Sequence, residues 1–312
     1  MLNVIFMGTP EFAVPSLRIL HEHHNVLAVV TAPDKPAGRG RKINASPVKI
    51  AAQSLKLPVY QPDKLKDEDF VNTIQSLNPD LMVVVAFRML PKIIWQIPKI
   101  GTFNLHASLL PQYRGAAPIN HAIINGETVT GNTTFLIDEK IDTGNILLQD
   151  KVEISDTDTA GTLHDKLMNK GANLVLETVN KLENNSIKAK PQDSKQHINY
   201  APKIFKTDCE INWNHNGISI YNKIRGLSPY PGAWTSIKFR DEKSSMKILN
   251  ANFIQQEHNL DIGQIIYSEK NTILVAVKNG LIQITELQIQ SKKRLSDTQF
   301  LNGYSLEDLK ID

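Results

Sequence analysis

One cysteine, Cys209, is all the thiol chemistry this chain holds. A disulfide framework and a cysteine-built zinc site within one chain are both excluded. The acidic neighbours Asp208 and Glu210 disfavour a thiolate, so Cys209 reads as a structural thiol. No apolar run approaches the roughly 18 residues a membrane helix needs. The amino terminus runs from Met1 straight into a strand pattern, with no basic leader before it. A cytoplasmic protein without membrane association is expected. Charge of one sign is not in excess either, since 35 Lys and Arg face 32 Asp and Glu, a net of +3. That balance excludes a histone-like polycation and leaves room for a local phosphate-binding cluster.

Several chemistries are missing as well. The first strand runs into Gly8-Thr9-Pro10 instead of Gly-x-Gly-x-x-Gly, so no dinucleotide fingerprint is present. No serine or cysteine stands in a nucleophile elbow, and Ser108 lacks the flanking glycines. The Asp-Thr-Gly at Asp142 has no second copy, which an aspartic protease requires. Metal-ligand spacing is absent, and no metal is expected.

What is present is an alternation of strands and helices. Leu2 to Met7, Val26 to Val30, Pro58 to Gln61, Asp80 to Ala86 and Thr102 to His106 read as strands. Between them lie helices at Phe12 to His21, from Ser46-Pro47 (an N-cap with proline at N1) to Leu55, and at Asp67 to Leu77. A short helical piece at Ile93 to Gln96 precedes the last of these strands. The pattern predicts an α/β, Rossmann-like, mostly parallel sheet covered on both faces. Strands at Thr130 to Ile137 and Ile146 to Ile154 and a long helix at Thr159 to Leu182 complete the domain.

At 312 residues two domains are expected: residues 1–185 as the Rossmann-like unit, 186–207 as a polar linker, and 208–312 as the second. The last holds a helix at Gly217 to Arg225 and about five short strands, which close naturally into a small OB-like β-barrel. Asn279-Gly280 suits a type I′ hairpin turn, and the apolar phase slips between Ile284 and Leu287, suggesting a bulge.

The segment Gly101 to Gly144 concentrates the chemistry. Asn104 and His106 lie two apart on a strand and so share a face. Asp142 follows in a turn. Together an amide, an imidazole and a carboxylate suit direct attack of an amine on a carbonyl. Asn104 and a His106 N–H would hold the oxyanion, and Asp142 would support the imidazole as it handles the proton. Ser108, Leu109, Leu110 and Pro111 form a rigid loop beyond the strand, read either as a hydrophobic latch or as a wall for a flat apolar cofactor. Lys35, Arg39, Arg41 and Lys42 crowd a glycine-containing loop after the second strand, on the rim where His106 sits. It is either solvated surface or a grip for a polyanionic substrate.

Three stretches carry a resemblance. Asn104 to Pro111 (Asn-Leu-His-Ala-Ser-Leu-Leu-Pro), Tyr113 to Ile119 (Tyr-Arg-Gly-Ala-Ala-Pro-Ile) and Asp142-Thr143-Gly144 resemble the methionyl-tRNA formyltransferases of the folate-dependent formyltransferase family. So do Phe6 to Ala13, Pro33 to Lys42, Ser46 to Lys49, Arg225 and Pro229 to Trp234, so the resemblance spans essentially the whole chain. It implies formyl transfer from 10-formyltetrahydrofolate to the α-amine of methionyl initiator tRNA by a monomer. It further implies Asn104, His106 and Asp142 as catalytic residues, Ser108 to Pro111 as folate-binding, and Lys35, Arg39, Arg41 and Lys42 as tRNA-binding. The barrel would also contact tRNA, although it is only modestly basic, through Lys238, Arg240, Lys243, Lys292, Lys293 and Arg294. The chain departs from the family at Lys140, where members often carry glycine, and at Phe87 to Pro91, where many have a longer link. A sugar-nucleotide N-formyltransferase, a formyl-folate hydrolase and a tRNA-binding protein without catalysis are the competing readings.

Overall fold

The computed structural model describes residues 1–37, 42–193, 197–267 and 272–311. Contacts divide the chain into two compact units. One comprises Met1–Gly115, Val129–Glu153 and His164–Tyr200; the other comprises Ala116–Thr128, Ile154–Leu163 and the chain from Ala201 onward.

The first unit is built on strands β1 (Asn3–Gly8), β2 (Asn25–Val30), β3 (Lys35–Ala37), β4 (Lys42–Asn44), β5 (Val59–Tyr60), β6 (Leu81–Val85), β7 (Gly101–His106), β8 (Arg114–Gly115), β9 (Val129–Leu136) and β10 (Ile146–Glu153). Seven of them form one sheet in the order β10-β9-β7-β6-β1-β2-β5. From β7 to β5 every pairing is parallel, and β9 turns the direction at the other edge. The parallel strands are apolar throughout because both faces are covered: Val4 to Met7 and Leu81 to Val83 have no exposed surface at all. Each such side chain contributes about 1.5–3 kcal/mol of burial.

The helices of this unit are α1 (Val14–His23), α2 (Pro47–Ser54), α3 (Glu68–Ser76) and α4 (Lys92–Trp95), while α5 (Pro118–Ile124) falls in the other unit and α6 (Ala160–Glu183) lies mostly in this one. Their starts are chemically marked. The Ser46 hydroxyl accepts the Lys49 N–H at 3.0 Å with Pro47 next in the chain, and the Asp67 carboxylate accepts the Phe70 N–H at 3.4 Å. Phe70, Val71 and Ile74 of α3 and Ile94 of α4 pack on Ile5, Met7, Ala28, Val30, Met82 and Val84. On the opposite face Thr134 and Thr178 share a hydrogen bond between β9 and α6 at 2.8 Å.

The segment expected as a bare basic loop is in part a hairpin, with Lys35 paired to Asn44 and Ala37 to Lys42. Arg39 and Arg41 lie outside the described residues. Part of the polar stretch 186–207 is pinned to the first unit, since Ile146 and Lys190 exchange backbone hydrogen bonds at 2.7 and 2.8 Å. A segment with no apolar period can thus be held by its backbone alone.

The chain continues through β11 (Tyr200–Ala201) into helix α7 (Gly217–Leu227), strands β12 (Ala233–Phe239), β13 (Glu242–Gln255), β14 (Ile265–Tyr267), β15 (Ile273–Val277), β16 (Gly280–Ile289) and β17 (Leu295–Ser296), helix α8 (Asp297–Gly303) and strand β18 (Leu309–Ile311). Six of these strands form an antiparallel sheet ordered β14-β15-β16-β13-β12-β18, with β17 beside β16. Its two ends approach each other, giving a nearly closed, barrel-like sheet. Ala233, Thr235, Ile237 and Phe239 alternate inward along β12, the period-two pattern of a strand with one wet face. The slipped apolar phase is a real bulge: Ile284 pairs Ala251 and Glu286 pairs Asn250, which leaves Thr285 unpaired. The type I′ turn does not form. Val277 pairs Gly280, so the loop residues are Lys278 and Asn279, and only Asn279 has a positive φ, of 64°. A type I′ turn requires positive φ at both positions.

Candidate active site

Strand order reverses between β1 and β6, and β7 is the next strand beyond β6. In open α/β sheets ligands gather at the carboxyl ends of strands near such a reversal. The α3/α4 helical cover packs on β6 at Met82 and Val84 and reaches the start of β7, where the Thr102 hydroxyl donates to the Trp95 carbonyl at 2.7 Å; Val84 is the register partner of Asn104. Asn104 and His106 therefore project from the same face as Val84 and Thr102, toward the carboxyl end of β7. The residue between them faces the other way: a Cβ on Gly171 of α6 would meet Leu105 at 2.8 Å. The two-residue spacing thus separates a dry face under α6 from a polar face under the site.

His106 is buried, and its Nε2 lies 2.8 Å from the Tyr113 carbonyl. A carbonyl only accepts, so Nε2 carries a proton; in the neutral ring Nδ1 is then the lone pair. Nδ1 has no hydrogen-bond partner among the described residues, and it faces Asp142 Oδ2 at 3.9 Å. The carboxylate is itself fixed, accepting the Gly115 N–H at 3.0 Å. Asn104 is half-buried, with no side-chain hydrogen bond among the described residues. An amide donor, an imidazole lone pair and an anchored carboxylate are therefore available to a ligand on one face.

The turn that carries Asp142 is a closed device. Asp138 accepts from the Lys140 N–H at 3.0 Å and from the Thr143 hydroxyl at 2.8 and 3.0 Å. Lys140 keeps a negative φ, so this turn needs no glycine where the chain departs from the family. Asp142 is the residue held at positive φ, 55°. Gly144 is required for space, since a Cβ there would lie 1.7 Å from the Leu136 carbonyl oxygen. At the other departure, Phe87 packs on the α3/α4 cluster and Arg88 donates to the Pro62 and Asp63 carbonyls.

Ser108, Leu110 and Pro111 are buried, and Leu109 is half-buried. The loop's polar groups are spent internally. Ser108 Oγ donates to the Gln112 carbonyl at 2.6 Å, the Leu110 N–H donates to Thr133 Oγ1 at 3.0 Å, and Gln149 Nε2 donates to the Leu110 carbonyl at 2.9 Å. The Thr133 hydroxyl also donates to the Ser108 carbonyl at 2.6 Å. The segment can act as a stiff apolar wall through Leu109, and these committed groups are not available to orient a ligand. Thr133 and Gln192, which is bonded to Arg114 and to the turn carbonyls, are absent from the residues read in sequence. Thr133 left a trace, as a polar residue within the buried run of a strand must find a partner; Gln192 left none.

The first residues of the basic loop leave the carboxyl end of β2, a strand parallel to β7 through β1 and β6. Lys35 and Lys42 thus sit on a hairpin on the rim that His106 occupies. Its base is secured by Asp34, which accepts from Lys49 Nζ at 2.5 Å and Gln61 Nε2 at 2.8 Å. Those two donors, Lys49 foremost, hold the Asp34 carboxyl below the usual carboxylate range. No group of three or more His, Cys, Asp or Glu able to hold a metal ion occurs among the described residues. No helix among them is long and apolar enough to cross a membrane.

Two family models match the chain: formyl transferase over residues 2–179, and the formyl transferase C-terminal domain over residues 203–305. The methionyl-tRNA formyltransferase of Flavobacterium johnsoniae is 50% identical over 308 residues, covering 98% of each chain. The chain belongs to the methionyl-tRNA formyltransferase family. A second family member, from Parabacteroides distasonis, is 51% identical over 310 residues, covering 97% of this chain and 96% of its own. Among solved structures, the N-formyltransferase of Helicobacter canadensis shares the fold, with a TM-score of 0.62 at 22% identity over 91% of this chain and 99% of that one. Membership makes the protein an enzyme with the two-part formyltransferase fold described above.

Proposed function

We propose that the protein transfers the formyl group of 10-formyltetrahydrofolate to the α-amino group of methionyl initiator tRNA. Half identity to methionyl-tRNA formyltransferases along nearly the full length of both chains carries this reading. The Helicobacter canadensis protein was solved with folinic acid and dTDP-3-aminofucose, which supports a folate donor for this fold and makes an amino-sugar nucleotide the rival acceptor. The basic segment after β2 favours the polyanionic acceptor, because a tRNA presents many phosphates where a sugar nucleotide presents two.

The residues fit a direct transfer. The attacking amine must lose a proton as its nitrogen bonds to the formyl carbon, and the His106 Nδ1 lone pair is placed to take it. The resulting imidazolium is bonded at Nε2 by the Tyr113 carbonyl and faced at Nδ1 by the Asp142 carboxylate. In the tetrahedral intermediate the formyl oxygen carries negative charge, and the Asn104 amide supplies an N–H for it. His106 contributes to that oxyanion only after Nδ1 is protonated, because the Tyr113 carbonyl occupies Nε2. Collapse breaks the bond from formyl carbon to donor nitrogen, and Nδ1 returns its proton to that leaving nitrogen. Leu109 supplies apolar surface at the edge of the site.

The deciding assay gives the purified protein 10-formyltetrahydrofolate with either methionyl-tRNA or an amino-sugar nucleotide. Formylation of methionyl-tRNA is expected. Formylation of the sugar alone would overturn the reading.

A further inference from the structure

Gln192 stands in the polar stretch after α6, yet both ends of its amide are fully employed. Its Oε1 accepts from Arg114 Nε at 3.1 Å and Nη2 at 2.6 Å. Its Nε2 donates to the carbonyls of Asp142 at 2.9 Å and Gly144 at 2.8 Å. A guanidinium only donates, so Arg114 dictates which end of the amide is oxygen and turns the NH2 end to the two carbonyls. Those carbonyls belong to a turn whose Asp142 has a φ of 55°, a left-handed conformation that a residue with a Cβ keeps only where its surroundings impose it. Gly115, next to Arg114, holds the same aspartate by its carboxylate. The loop from Tyr113 to Gly115 therefore reaches His106 directly, the Asp142 carboxylate directly, and the Asp142 backbone through Gln192.

We propose that Gln192 is a positioning residue for formyl transfer: oriented by Arg114, it holds the backbone of the Asp142 turn so that the carboxylate faces His106 Nδ1. The inference rests on the reading of Asp142 as part of the catalytic trio. Its action is on geometry, so it belongs in kcat; neither substrate is asked to touch it.

The test compares Gln192→Ala, Gln192→Glu, Asp142→Asn and the doubles of each Gln192 variant with Asp142→Asn. Glutamate keeps the shape and the acceptor for Arg114 but removes the donor and sets oxygen against two carbonyl oxygens. Both single Gln192 variants should lower kcat by about tenfold or more, the scale of a misplaced catalytic group, with KM for methionyl-tRNA and for the formyl donor within about twofold of wild type. Because Gln192 is argued to act through Asp142, each double should match Asp142→Asn within about twofold. A general folding role would lower the doubles further. If Gln192→Ala does not fold, the Gln192→Glu series carries the same comparison. Wild-type kcat in the Gln192 variants beside a crippled Asp142→Asn, a loss confined to KM, or additive losses would overturn the clamp alone. A normal Asp142→Asn would instead remove the reading of the trio on which the clamp depends.

Discussion

The Tyr113 carbonyl lies 2.8 Å from His106 Nε2, and this contact decides which imidazole nitrogen is free for chemistry. A bond made seven residues along the chain turns Nδ1 toward Asp142. In the proposed transfer His106 would accordingly act as a base first and as an oxyanion donor second.

Removing either partner of that arrangement should therefore stop the proton transfer. His106→Ala or Asp142→Asn is expected to lower formylation turnover by at least about a hundredfold while the folded state persists by circular dichroism. Near-normal turnover in either would refute the assignment.

The basic hairpin offers a separable test. Arg41→Ala combined with Lys42→Ala should weaken methionyl-tRNA binding most at low salt and flatten the plot of log affinity against log salt, by roughly 0.7–0.9 for each phosphate that is no longer neutralised. Affinity and slope equal to wild type would identify the hairpin as plain surface.

Within the barrel, Lys238 of β12 sits directly opposite Lys243 of β13 on one side and Lys310 of β18 on the other. All three are exposed. Like charges in register repel, so Lys238→Thr should stabilise the protein against urea by about 0.2–1 kcal/mol at low salt. The gain should shrink as salt screens the row. No gain at low salt would mean that the lysines splay apart without cost.

Asp80 provides a pH signature. Lys99 first, and then the Asn3 N–H, hold its carboxyl below the usual carboxylate value. The unfolded chain then takes up the proton more readily than the folded one, so the stabilisation is complete above the unfolded pKa of about 4 and is lost as pH falls through the depressed folded value. Asp80→Asn should be less stable than wild type at neutral pH, and its stability should fall less steeply between about pH 5 and pH 2. Parallel curves for the two proteins would show that the pair contributes nothing.

Much of this fold was legible residue by residue, because strand and helix periods are local. Val4 to Met7 and Leu81 to Val85 announce buried parallel strands, Ser46-Pro47 announces a helix start, and the slipped phase near Thr285 announces a bulge. The turn after Lys278 was misread because Asn279-Gly280 signals a type I′ turn only when those two residues fill the loop, and register, a property of two strands, decided otherwise.

The candidate site divides along the same line. By itself the sequence determined that Asn104 and His106 share a face, since a period of two needs nothing beyond the strand, and it set an aspartate in a turn within reach. Only the tertiary structure decided that Nε2 is taken by Tyr113, that Ser108 and Leu110 spend their polar groups on Thr133, Gln112 and Gln149, and that Gln192 grips the Asp142 turn from 50 residues away. These are pairings between distant segments. A hydrogen bond needs a partner at a particular distance and angle, and no local pattern of residue types encodes which partner the folded backbone will bring.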